Sequence, residues 1–85
     1  EGPGPAVKED VAIQLYPNPA DQQVKVRVPA DLVGSSLTIM DISGRVIHER
    51  QISGEISTVN VSGFSPGLYF VGIKNKSPCM KLIVN

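Results

Sequence analysis

Pro66-Gly67-Leu68-Tyr69-Phe70-Val71-Gly72-Ile73-Lys74, then Asn75-Lys76-Ser77-Pro78, then Cys79-Met80-Lys81-Leu82-Ile83-Val84-Asn85, is the stretch on which the fold turns. Tyr69, Val71 and Ile73 fall on one face of an extended chain, Leu68 and Phe70 on the other. After the polar turn, Met80, Leu82 and Val84 alternate with Cys79, Lys81 and Ile83. Period two in both runs, with turn residues between, reads as a pair of antiparallel strands. Free chain ends usually fray, so an apolar strand at the last residues calls for a reason. It closes a sheet, or something outside the domain reads it, and alternate residues can serve each purpose.

The same reading extends upstream. Gln23 to Val28 alternates most cleanly, with Val24, Val26 and Val28 inward and Lys25 and Arg27 outward, which is a half-buried strand. Leu37 to Ile42 is apolar on both faces, Leu37 and Ile39 against Met40 and Ile42. Asp41-Ile42-Ser43-Gly44-Arg45 predicts a hairpin turn in which Gly44 takes positive φ and Asp41 or Ser43 caps the turn amides. Val46 to Gln51 is the returning strand. Ile56 to Val61 is another, and Pro66-Gly67 suits the centre of a type II turn.

Towards the start, Val11 to Tyr16 is a short strand with Val11, Ile13 and Leu15 on one face. It stops at Tyr16-Pro17-Asn18-Pro19-Ala20, where prolines remove backbone donors and hold Asn18 extended. Tyr16 is expected to lay its ring on the core and its hydroxyl on a loop carbonyl. Gly2-Pro3-Gly4-Pro5 cannot build a helix or central strand, so residues 1–12 read as a linker and residues 13–85 as the folded domain. Seven strands with regularly spaced turns predict an all-β sandwich of antiparallel sheets with a Greek-key crossing.

Composition excludes several functions. The chain has 85 residues, and eight Lys and Arg balance eight Asp and Glu, leaving no basic face for nucleic acid or for a membrane surface. It starts at Glu1 rather than Met, which reads as a piece of a longer protein or a processed product. Cys79 is the single cysteine, so it has no internal disulfide partner and reads as a small strand residue. His48, the single histidine, sits between Ile47 and Glu49 at what reads as an outward strand position. A catalytic triad or a zinc site needs partners that this pattern does not supply. The carboxylates are scattered among turns and the glycines punctuate them. No catalytic residue, metal site or cofactor is expected.

Three stretches taken together carry a resemblance: Leu15-Tyr16-Pro17-Asn18-Pro19-Ala20, then Ile39-Met40-Asp41-Ile42-Ser43-Gly44-Arg45-Val46-Ile47, then Ser65-Pro66-Gly67-Leu68-Tyr69-Phe70-Val71 with the closing Lys81-Leu82-Ile83-Val84-Asn85. In order and spacing they resemble the C-terminal sorting domain of cargo of the type IX secretion system of Bacteroidetes. The resemblance implies an immunoglobulin-like β-sandwich that is last in a multidomain protein. It implies recognition by the outer-membrane translocon and its shuttle components, at Lys81, Leu82, Ile83, Val84 and Asn85. Tyr16, Pro17, Asn18, Pro19, Asp41, Gly44, Arg45, Pro66, Gly67 and Tyr69 are the residues that match the family motif. It further implies passage through the periplasm and outer membrane, a cell-surface or secreted destination, and, in most members, removal of the domain by a sortase-like cysteine protease. Cleavage would fall within residues 1–12 and join the cargo to anionic lipopolysaccharide.

Two further expectations stand beside this one. A structural or adhesive sandwich, glycan-binding included, would also need no catalytic residues. Exposed edge strands can pair, so a dimer through such an edge is expected to be open to the fold.

Overall fold

Alternating residues become two packed sheets in the computed structural model, which describes residues 13–76 and 79–85. The strands among the described residues are β1 (Gln14–Tyr16), β2 (Gln23–Arg27), β3 (Ser36–Met40), β4 (Val46–Gln51), β5 (Ile56–Asn60), β6 (Gly67–Ile73) and β7 (Met80–Val84). They form a three-stranded sheet in the order β1-β2-β5 and a four-stranded sheet in the order β4-β3-β6-β7. Every ladder is antiparallel. The chain changes sheet between β2 and β3, between β4 and β5, and between β5 and β6, which is the Greek-key interleaving expected of an immunoglobulin-like sandwich.

The core lies between the sheets. Val24, Val26 and Val59 project from one side, and Leu37, Ile39, Val71 and Leu82 from the other, all fully buried. Each such side chain contributes about 1.5–3 kcal/mol relative to exposure. Val28 is buried too, although β2 ends at Arg27, because its amide still bonds the Glu55 carbonyl at 2.8 Å. The segment after Pro29 winds a single 3-10 turn over Ala30–Leu32 that seats Leu32 against the core.

Strand ends group the loops at two poles. At one lie Gln14, Arg27 and Ile56, which neighbour one another in the register. At the other lie Tyr16, the Asp41–Arg45 turn, Gly67 and Val84. Residues 11 and 12 of the first expected strand, and the 1–12 linker as a whole, fall outside the described residues.

Local details depart from expectation at four places. Ile42 lies in the turn, highly exposed, because β3 already ends at Met40. Ile39 pairs with His48 but Met40 pairs with Val46, so Ile47 is a bulge. The extra residue resets the alternation of β4. Val46 therefore shares the outer face with Met40, and His48 shares the core-facing side with Ile39, its Nε2 buried without a hydrogen-bond partner among the described residues. Gly67 has φ of 151°, far from the value near +80° of a type II turn, and starts β6 opposite Val84 instead. Tyr16 is 39% exposed rather than laid on the core. The role expected of it belongs to Tyr69, which is buried, donates its hydroxyl to the Ser65 carbonyl at 2.6 Å, and packs on Phe64 with ring centroids 5.3 Å apart.

Candidate functional site

The C-terminal residues sit on β7, an edge strand whose alternation divides their roles. Leu82 and Val84 are buried in the core, opposite Tyr69 and Gly67. Lys81 and Ile83 face outward, opposite Phe70 and Leu68. Asn85 follows the strand and is exposed.

An edge strand normally leaves a row of backbone groups unpaired. Here the proline corner fills that row. Asn18 Nδ2 donates to the Lys81 carbonyl at 2.9 Å, and Asn18 Oδ1 accepts from the Ile83 amide at 3.0 Å, so one side-chain amide takes the place of a strand's peptide group. Ala20 continues the pairing as an isolated parallel bridge to Val84. Its amide donates to the Ile83 carbonyl at 2.8 Å, and its carbonyl accepts from the Asn85 amide at 2.9 Å. The Asn85 side chain then donates to Asp21 Oδ1 at 2.8 Å. From the Lys81 carbonyl to the Asn85 amide, the edge of the last strand is therefore occupied.

Pro17 and Pro19 flank Asn18, and both of their peptide bonds are cis. Neither proline offers an amide donor of its own, so the donors along this edge come from the Asn18 side chain and from Ala20.

The Asp41–Arg45 turn lies at the same pole. Asp41 Oδ1 accepts from the Ser43 hydroxyl at 2.6 Å, the Ser43 amide at 2.9 Å and the Arg45 amide at 3.1 Å. Arg45 Nε lies 3.4 Å from Asp41 Oδ2. The Ser43 hydroxyl above all, then the two backbone amides and the Arg45 charge, hold the Asp41 carboxyl below its ordinary value of 3.8, against a smaller opposing effect of desolvation. Gly44 takes φ of 89°, as expected, and closes the turn through its amide on the Asp41 carbonyl at 2.9 Å.

The structure thus places Tyr16, Pro17, Asn18, Pro19, Pro66, Gly67 and Tyr69 at the pole of the C-terminal residues, and Asp41, Gly44 and Arg45 at the same pole but across β6 from β7. Sequence reasoning missed Ala20 and Asp21 as partners of β7. Their only signal was position just after the proline corner. It also gave no sign of the guard on β5, where Arg50 on β4 donates to the Thr58 carbonyl at 2.8 Å and occupies the outward edge. Among the described residues no group of three or more His, Cys, Asp or Glu is placed to hold a metal ion, and no helix is long and apolar enough to cross a membrane.

Comparison with known proteins bears on this pole. Residues 14–85 match the family described as the secretion system C-terminal sorting domain. Beta-agarase A of Zobellia galactanivorans is 37% identical over 70 residues, covering 82% of this chain and 13% of that protein. A solved structure of PorZ, described as an essential bacterial surface component of the type-IX secretion system of Porphyromonas gingivalis, superposes with a TM-score of 0.73. That likeness, at 24% identity over 99% of this chain and 13% of the other, shows the shared fold. The chain spans about 13% of the length of each of these relatives. The matched family is a sorting-signal family and not an enzyme family, and membership implies export through the outer membrane to the cell surface or secretion. The chain belongs to the C-terminal sorting domain family of the type IX secretion system.

Proposed function

We propose that residues 13–85 act as an export signal read at the C-terminal pole, with Lys81, Leu82, Ile83, Val84 and Asn85 as the recognised terminus. The observation that supports this most is the seam between Asn18 and β7. Motif residues 63 and 65 positions apart in sequence meet there by hydrogen bonds. Such a seam makes the terminus a feature of the folded sandwich rather than a loose tail.

On this reading the attached cargo crosses the periplasm first and is then taken by the outer-membrane translocon and its shuttle components. Residues 1–12 serve as the tether in which a sortase-like cysteine protease cuts, joining the cargo to anionic lipopolysaccharide. A Gly/Pro-rich tether suits a protease, which needs extended backbone. A dimer through an edge strand would use β4. The outward groups of β7 are taken by Asn18 and Ala20, those of β5 in part by Arg50, and β1 has only three residues.

The test is a fusion of residues 1–85 to a periplasmic reporter in a type IX-competent host. The expected result is reporter at the cell surface or in the medium. Reporter retained in the periplasm would sink the reading.

A further inference from the structure

The outer face of the four-stranded sheet is divided. Towards the C-terminal pole it is apolar. Val46 pairs with Met40, Met40 with Phe70, and Leu68 with Ile83, so these side chains form one stripe across all four strands. Three inter-strand spacings make it about 14 Å wide. Val46 is 47% exposed, Ile83 46% and Leu68 37%, with Met40 and Phe70 partly covered by their neighbours. Towards the opposite pole the face carries Thr38, Gly72 and the Glu49–Lys74 ion pair at 3.4 Å. An exposed apolar stripe rimmed by polar residues marks a contact surface.

Lys81 stands at the β7 end of the stripe, opposite Phe70 and one pleat from Ile83. It forms no ion pair with any described residue, whereas Glu49, Lys74, Asp41 and Arg45 on the same sheet are paired with one another. Main-chain addition at the β7 end of the stripe is blocked, because Asn18 and Ala20 occupy that edge. A partner at the β7 end, where Lys81 and Ile83 lie, must engage side chains.

We propose that Val46, Met40, Phe70, Leu68 and Ile83, with Lys81 among them, are the docking surface of this domain. The occupant is a protein of the export machinery that presents aliphatic side chains and one carboxylate directed at Lys81. This rests on the sorting reading above and names the face that is read. A lipid surface fits less well, since adsorption to anionic lipid calls for a cluster of Lys and Arg and the stripe holds a single cation. The arrangement is that of a protein contact: an apolar centre with a charge at its rim.

The experiment compares export of the reporter fused to residues 1–85 in wild-type form and as Leu68→Ser/Ile83→Ser, Lys81→Glu and Lys81→Arg. Thermal melts of the purified domains check folding. Export lowered about tenfold by the double variant and by Lys81→Glu, and preserved by Lys81→Arg, is the expected result. Wild-type export with both the double variant and Lys81→Glu equally exported would overturn the docking surface and leave the sorting reading standing. A wild-type fusion that stays in the periplasm would overturn both. If the double variant melts early, Lys81→Glu, at an exposed position, decides alone. Co-sedimentation of the wild-type domain with vesicles of phosphatidylethanolamine and lipopolysaccharide, abolished in Leu68→Ser/Ile83→Ser, would assign the stripe to lipid and overturn the protein occupant. Concentration-dependent dimerisation lost in the same variant would assign it to a second copy, with the same consequence.

Discussion

Asn18 stands in for a missing strand beside Ile83: its Oδ1 accepts the Ile83 amide at 3.0 Å while its Nδ2 bonds the carbonyl of the residue two before, Lys81. Two neutral hydrogen bonds contribute about 1–3 kcal/mol together, towards the lower end because water reaches this edge. Asn18→Leu removes both and should lower the melting temperature by about 5–15 °C for a domain of this size. Asn18→Asp keeps the acceptor and loses the donor, so its loss should be smaller. Hydrogen exchange at the Ile83 amide reports the seam directly. Unchanged protection in Asn18→Leu would mean that the seam does not hold β7.

Ser43 should control the titration of Asp41. The Asp41 carboxyl is held below 3.8 in the folded chain, chiefly by the Ser43 hydroxyl. A depressed folded value means that the stabilisation is present above 3.8 and is lost as the pH falls through the lower folded value. Ser43→Ala should move the Asp41 midpoint up towards 3.8, seen by NMR titration of its side-chain carboxyl. A midpoint that does not move would place the cause elsewhere.

Tyr69→Phe should separate ring from hydroxyl. The ring keeps its contact with Phe64, while the bond to the Ser65 carbonyl is lost. We expect a loss of about 0.5–1.5 kcal/mol in urea unfolding with the slope unchanged. Tyr69→Ala, which also empties core volume, should cost about 3–5 kcal/mol.

His48→Leu should stabilise. Its Nε2 is buried with no partner among the described residues, on the side of β4 that faces Ile39. An unsatisfied buried group costs about 1–3 kcal/mol, and leucine removes it at similar volume. A rise of several degrees in the melting temperature is expected. A fall would show that Nε2 makes a contact that matters.

What the chain disclosed on reading, and what it hid, follows the range of the physics. Val24 and Val26, or Leu82 and Val84, alternate within a few residues, and their strands formed with those faces inward. The Asp41–Gly44 turn is equally local, since its acceptor and donors lie within four residues. His48 was misplaced because the bulge at Ile47 depends on how β4 meets β3, and a single inserted residue inverts every side chain beyond it. The hydroxyl role went to Tyr69 rather than Tyr16, although its Ser65 acceptor is only four residues away, because which tyrosine is buried depends on how the sheets pack. At the candidate site, the motif residues could be named from the family resemblance. Asn18's partners lie 63 and 65 residues away, and no local pattern encodes them. The stripe of Val46, Met40, Phe70, Leu68 and Ile83 draws on four strands, so it exists only once the register is set.

Gln14 and Val84 stand at opposite poles, the first beside Arg27 and the second beside Ala20. A polypeptide joined ahead of Ile13 therefore departs about 17 Å, one five-residue strand, from the terminus. Such a polypeptide would start from the pole opposite Val84. If the C-terminal pole is what is read, as proposed, passenger size drops out of the recognition problem. Residues appended after Asn85 would enjoy no such freedom, because they would emerge against Ala20 and Asp21, inside the seam itself.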